Sequence, residues 1–234
     1  MSTGESKYAA VVLAGERPGG SAFSRELGLA ASVLVDVAGK SSLERVITTL
    51  EASERVSGGV LVGPDQSVCR SAPEIGQILA GSAFDWMAPE TGPSASALAG
   101  ISRLNHFPVL LTAADHALLT PEIVDDFCKR AGALDADVVF GLAPYTIVRG
   151  AFPDTRRTVL RFSDGAYCGT NLFAILTDRG KSGPAFWSRL EADRKRPWRM
   201  ARKIGPGLIF RYFLGRLTLD SVLDSLSRAM GCKV

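Results

Sequence analysis

Apolar positions in this chain recur in two rhythms. Short runs of strand length, bounded by turn residues, occur at Tyr8 to Leu13, Gly58 to Gly63, Phe84 to Met87, Pro108 to Thr112, Asp137 to Leu142 and Asn171 to Leu176. Between them the spacing becomes helical. Leu43, Val46, Ile47 and Leu50 share one face behind the capping-box pattern Ser41-Ser42-Leu43-Glu44, which predicts a helix running to about Ala52. Gly92-Pro93-Ser94 opens a helix of small residues through Leu104. Thr120-Pro121-Glu122 supplies an N-cap, a proline at the first helical position and an acid in the first turn. Val33 to Val37 is expected to be a short extended piece. From Gly183 the pattern is helical to the end, broken at Gly205-Pro206-Gly207. Thr218 or Asp220 would cap a last helix that turns Leu219, Val222, Leu223 and Leu226 inward. Strands alternating with helices predict an α/β protein, a three-layer α/β/α arrangement around a mostly parallel sheet. No linker interrupts the chain, so residues 1–180 are expected to form one α/β domain, with 181–234 as its helical extension.

Composition narrows the class. With 234 residues, 46% hydrophobic and 22% charged, the chain can bury a large core and is not a disordered polymer. Met1 to Lys7 is polar, and the apolar run from Tyr8 to Ala14 is too short for a secretory signal. No segment approaches the roughly 20 apolar residues of a transmembrane helix. Cys69, Cys128, Cys168 and Cys232 are scattered, with no C-x-x-C pair and no histidine at metal spacing. These features together predict reduced thiols in a cytoplasmic protein.

The net charge of +3 conceals an asymmetry: from Lys181 onward there are 12 basic and 4 acidic side chains, a net +8 that leaves −5 for the rest. Within that basic part, Phe186-Trp187, Arg194-Lys195-Arg196-Pro197-Trp198-Arg199 and Leu208 to Leu214 interleave aromatic residues with bases. Such a stretch suits peripheral contact with anionic lipid, or equally an amphipathic packing face with snorkelling cations. No nucleic-acid-binding module is recognisable, and none is expected.

Open parallel sheets bind ligands at the carboxyl ends of their strands. Two candidate elements fall there. The loop Leu13-Ala14-Gly15-Glu16-Arg17-Pro18-Gly19-Gly20 follows the first strand; its glycines let backbone amides approach phosphate oxygens, and Arg17 adds a charged fork. Its spacing fits neither a Walker loop nor G-x-G-x-x-G. The second element is Thr112-Ala113-Ala114-Asp115-His116, where Asp115 would hold a magnesium ion bridging phosphates. A turn or cap role suits Asp115 equally, and His116 reads as an ordinary loop histidine.

In order along the chain, Val11-Val12-Leu13-Ala14-Gly15, Val37-Ala38-Gly39-Lys40 with Leu43-Glu44-Arg45-Val46, Gly92-Pro93-Ser94, Leu111-Thr112-Ala113-Ala114-Asp115 with Leu119-Thr120-Pro121-Glu122, and Gly169-Thr170-Asn171-Leu172-Phe173 resemble the MobA-like nucleotidyltransferases. The resemblance implies a GT-A type fold and Mg²⁺-dependent transfer of a nucleotidyl group from a nucleoside triphosphate to a small phosphorylated acceptor, with release of pyrophosphate. It implies that Leu13, Ala14, Gly15, Arg17, Gly19 and Gly20 wrap base and phosphates, and that Gly92, Pro93 and Ser94 line the base and ribose side. It also implies that Asp115 holds the metal, with Arg17 and Asp115 carrying the chemistry. Gly169, Thr170 and Asn171 would face the acceptor, and Arg156 and Arg157, near Arg161, would neutralise its phosphate.

Three departures from the family pattern accompany the match. Glu16 stands where a second glycine is usual, and Ser32 aligns with a lysine that neutralises the triphosphate. No terminal strand with a second metal-binding aspartate precedes Val234. Two alternatives stay open on that account: a catalytically impaired nucleotide-binding or regulatory homologue, and a GT-A glycosyltransferase using a nucleotide-sugar. Arg17 or Arg25 would be the substitute cation if transfer is retained.

Overall fold

Residues 6–16, 21–192 and 214–234 are described in the computed structural model of the chain. Along the sequence the elements are β1 (Tyr8–Leu13), α1 (Ala22–Glu26), a 3₁₀ turn at Ser32–Leu34, β2 (Asp36–Val37), β3 (Lys40–Ser41), α2 (Ser42–Ala52), β4 (Val56–Val62), α3 (Gln66–Ser71), α4 (Pro73–Ala80), β5 (Phe84–Met87), α5 (Pro93–Leu104), β6 (Val109–Ala113) and α6 (Pro121–Gly132). They continue with β7 (Val138–Pro144), α7 (Tyr145–Ala151), β8 (Leu160–Phe162), β9 (Gly165–Ile175), a 3₁₀ turn at Asp178–Lys181, α8 (Ser182–Ala192) and a last described helix, α9 (Leu219–Met230).

The main sheet has the order β5-β4-β1-β6-β9-β7, with β8 paired to β9. Neighbours from β5 to β6 are parallel, while β9 runs antiparallel to β6, β7 and β8. One strand therefore opposes all the others. The central strands are buried on both sides, which explains their unbroken apolar runs. Ala10 and Val12 of β1 join Leu43, Val46, Ile47 and Leu50 of α2 and Val124 and Cys128 of α6 on one face. Val11 points the other way, into a core with Ala97 and Ile101 of α5, Phe186 of α8 and Met230 of α9. The result is the expected three-layer α/β/α arrangement with a helical C-terminal part.

Element by element, the sequence expectations hold for β1, α2, β5, α5, β6 and α6. Ser41 caps α2 by accepting from the Glu44 amide at 3.1 Å, and Thr120 caps α6 by accepting from Ile123 at 3.4 Å. Elsewhere the fold departs from expectation. The extended piece expected at Val33 to Val37 is a 3₁₀ turn that buries Val33 and Leu34, followed by the two-residue strand β2. Ala38 and Gly39 then turn the chain back at φ of 53° and 83°, the backbone of a tight hairpin. Arg45 clasps that turn, donating to the carbonyls of Val37 and Ala38. Helices α3, α4 and α7 were not foreseen: the first two are short and α7 buries no residue, so none has a full apolar stripe. β9 begins at Gly165 rather than Asn171, because its first half pairs with β7 and β8 beyond the edge of β6. Thr218 caps α9, accepting from Ser221 at 3.3 Å. Phe186 lies in the core and not on a lipid-facing surface, whereas Trp187 is exposed. The basic stretch 194–199 and residues 208–213 lie outside the described residues.

Two local features give tests of this arrangement. β1 and β4 pair with a register shift between Tyr8 and Ala10, and there Gly59 lies so close to β1 that an added Cβ would sit 1.9 Å from the Ala10 carbonyl oxygen. Gly59→Ala should cost about 2–3 kcal/mol, roughly 5–10 °C in Tm by thermal denaturation; an unchanged Tm would contradict the pairing. At the opposite edge Asp137 accepts from Thr177 Oγ1 and from the Lys233 amide at 2.8 Å, tying the C-terminal residues to β7. The hydrogen bonds from Thr177 and Lys233 outweigh burial and, with the Arg179 and Lys233 charges, hold this carboxyl below its usual range. Its stabilisation is therefore complete above the unfolded-state pKa and disappears as pH falls through the lower native value. Asp137→Asn should lower stability by about 1–2 kcal/mol at pH 7, and the Tm difference from wild type should close on acidification. A difference that is constant with pH would refute that role.

Candidate functional site

Parallel pairing brings the ends of β1 and β6 level. Leu13 sits opposite Ala113, and the Ala114 amide donates to the Leu13 carbonyl at 2.9 Å. Ala14 and Gly15 are thus side by side with Ala114 and Asp115. From behind, the buried Ser42 hydroxyl at the start of α2 donates to the Ala114 carbonyl at 2.7 Å, fixing the backbone that carries Asp115. Asp115 itself is exposed. On the other flank, an added Cβ on Gly63 would lie 2.8 Å from the Gly15 nitrogen, and one on Gly15 would lie 3.5 Å from Pro89 Cβ. Only a glycine lets the end of β4 approach so closely, at its φ of 89°. Ala14 and Gly15 are consequently wedged between the ends of β4 and β6 and the segment leading into α5.

Gly92 is the N-cap of α5, Pro93 its first residue, and Ser94 stands on its first turn. These residues therefore face the same end of the sheet as Gly15. Of the first-loop residues, Leu13, Ala14 and Gly15 are described; Arg17, Gly19 and Gly20 lie outside the described residues.

The residues expected at the acceptor form a second group beside Asp115. β6 and β9 pair with Leu111 opposite Phe173 and Val109 opposite Ile175. Gly169, Thr170 and Asn171 come before the part of β9 that pairs with β6, so they lie beyond the end of that ladder. Asn171 adopts a left-handed φ of 55° where the β7–β9 register slips. Arg157 reaches back to donate to the Gly169 carbonyl at 3.1 Å. Arg156 is exposed in the segment before β8, and Arg161 lies 5.7 Å from the centre of the Tyr145 ring.

Three polar atoms in this region are buried without a hydrogen-bond partner among the described residues: Thr112 Oγ1, His116 Nδ1 and Thr170 Oγ1. Leaving such a group unpaired costs about 1–3 kcal/mol, and in native proteins it calls for an explanation. Gly141 makes the space for Thr170, since a Cβ there would meet its hydroxyl at 2.3 Å. His116, which the sequence presents as an ordinary loop residue, is the principal omission. Burial depresses its pKa, the Asp115 charge opposes that, and the nearby Arg157 charge adds to the depression. Burial in the fold and the proximity of Arg157, 41 positions away, reveal this; no local spacing announces it.

Glu16 occupies a position with consequences for the loop. Its Oε1 accepts from the Ser21 amide at 3.1 Å and the Ser32 amide at 3.2 Å. The two departures from the family pattern, Glu16 and Ser32, therefore meet. Burial raises this carboxyl, but hydrogen bonds from Ser24, Ser21 and Ser32 outweigh it and keep it below the usual range. Lys40 is no substitute cation for the loop, because its Nζ pairs with Glu44 at 3.0 Å.

Among the described residues no cluster of three or more His, Cys, Asp or Glu is arranged to hold a metal. An exposed carboxylate such as Asp115 suits Mg²⁺ carried in with substrate phosphates and water. No described helix is long and apolar enough to cross a membrane.

A family model described as the MobA-like NTP transferase domain matches residues 10–157. Among solved structures, a hypothetical transferase from Thermus thermophilus is similar with 26% identity and a TM-score of 0.80, covering 97% of this chain and 90% of its own. A CMP:2-keto-3-deoxy-manno-octonic acid synthetase complexed with CTP aligns at 12% identity and a TM-score of 0.55, over 86% of this chain and 87% of its own. A 4-diphosphocytidyl-2C-methyl-D-erythritol synthase from Anaerococcus prevotii aligns at 15% identity and a TM-score of 0.52, over 80% and 78%. The last two likenesses concern the fold alone. No curated protein is similar enough in sequence to match.

Proposed function

Because this chain belongs to the MobA-like NTP transferase family, we propose that it transfers a nucleotidyl group from a nucleoside triphosphate to a small phosphorylated acceptor. The observation that carries the reading is the level pairing of β1 and β6. It sets the Ala14-Gly15 backbone and the Asp115 carboxylate at adjacent strand ends.

In this reading the first loop, with Arg17, Gly19 and Gly20, binds the triphosphate through backbone amides and one guanidinium. Gly92, Pro93 and Ser94 line the base and ribose. Asp115 would hold Mg²⁺, which when bound neutralises phosphate charge. Arg156 and Arg157 orient the acceptor phosphate over Gly169, Thr170 and Asn171. An acceptor oxygen then attacks the α-phosphorus; a new P–O bond forms as the bond to the β-phosphate breaks, and pyrophosphate leaves. Positioning and charge neutralisation carry most of the catalysis in such reactions. Four free thiols agree with a cytoplasmic setting.

A second reading, a nucleotide-binding homologue without turnover, is favoured by one observation: the Ser32 amide, at the position of the family lysine, is engaged by a carboxylate. Pyrophosphate release separates the two. The protein is incubated with each ribonucleoside triphosphate and Mg²⁺ against a panel of sugar, polyol and lipid phosphates. Transfer predicts release with at least one pair, reduced about 10²–10³-fold in Asp115→Asn. A thermal shift with nucleotide but no pyrophosphate from any pair selects the second reading and rejects the first.

A further inference from the structure

Two carboxylates of the chain itself sit on hydrogen-bond donors of the cleft. Glu16 accepts from the amides of Ser21 and Ser32, at the end of β1. Glu191 comes from α8, nearly a hundred positions beyond α5. Its Oε1 accepts from the Ser94 hydroxyl at 2.7 Å, and its Oε2 lies 3.0 Å from where a Cβ on Gly92 would stand. Gly92 has no side chain with which to cap α5 and Pro93 has no amide proton; Glu191 rests instead on the Ser94 hydroxyl in the first turn of that helix. The contacts are independent of one another, yet they border one crevice, because Gly15 abuts Pro89 in the segment leading into α5.

A carboxylate and a phosphate oxygen seek the same partners, backbone amides, hydroxyls and the positive end of a helix. We propose that Glu16 and Glu191 are internal competitors of the nucleotide's phosphates. They hold the anion-binding groups of the cleft in the free protein and set its affinity for the polyphosphate that must displace them. The proposal rests on the nucleotide reading of this cleft. The hydrogen bonds that hold the Glu16 carboxyl below its usual range show that these donors favour an anion there. The geometry also separates competition from a merely structural contact. A glutamine at either position retains an acceptor oxygen for the same donors but carries no charge, so it preserves the contact while removing the charge that opposes a phosphate.

The test is titration of wild type, Glu16→Gln, Glu191→Gln and the double variant with the four ribonucleoside triphosphates and with inorganic tripolyphosphate, by calorimetry at low salt. Each single variant is expected to bind tripolyphosphate and the preferred nucleotide about 5-fold or more tightly, with the gains multiplying in the double variant and shrinking at high salt. Glu191 is exposed, so its variant keeps the fold whatever happens at Glu16, and thermal denaturation verifies this for each protein. Unchanged or weaker binding by Glu191→Gln, beside measurable binding by wild type, overturns the proposal and leaves the nucleotide reading intact. Absence of binding by all four proteins overturns both together.

Discussion

The architecture depends on one constraint: β1 must lie between β4 and β6 with all three strands parallel and their carboxyl ends level. The Ala114 amide to Leu13 carbonyl bond continues that ladder past the last paired residues, and the Ser42 hydroxyl secures it from the helical layer. Because β1 is buried on both faces, its register is strongly specified; a slip of one residue would turn Ala10 and Val12 out of one core and Val11 out of the other. Level ends in turn bring Gly15, the Asp115 turn and the segment leading into α5 to one end of the sheet. The candidate chemistry is a consequence of that alignment.

Glu16 and Ser32, the two positions read as departures from the family pattern, are in three dimensions a single feature, a carboxylate resting on the Ser32 amide. Glu191 places a second acid on Ser94, at the start of α5. Arg157 is anchored to the Gly169 carbonyl, and in the proposed reading it and Arg156 meet the acceptor phosphate. The unpartnered buried atoms of His116 and Thr170 are on that acceptor side as well.

Much of this was legible in the sequence, for physical reasons. Uninterrupted apolar runs and strong caps mark elements whose stability is local or whose burial is complete, so β1, α2, α5, β6 and α6 could be placed from their residues. Contacts between distant segments were not legible. Glu191 accepts from Ser94 across 97 positions, and the Arg157 charge acts on His116 across 41. Helices α3, α4 and α7 escaped notice because they are short and α7 buries nothing, leaving no period to detect. Val33 and Leu34 are apolar because they plug the core from a 3₁₀ turn, a role that looks the same as a strand in a five-residue window.

The central claim is that backbone amides after β1 and the carboxylate after β6 together hold a polyphosphate. A crystal structure grown with a nucleoside triphosphate and Mg²⁺ tests it most directly. The account predicts phosphate oxygens on the Ala14-Gly15 backbone with Asp115 directed at the ion they carry. Nucleotide bound elsewhere, with Glu16 still on Ser21 and Ser32 and the crevice otherwise unchanged, would contradict it.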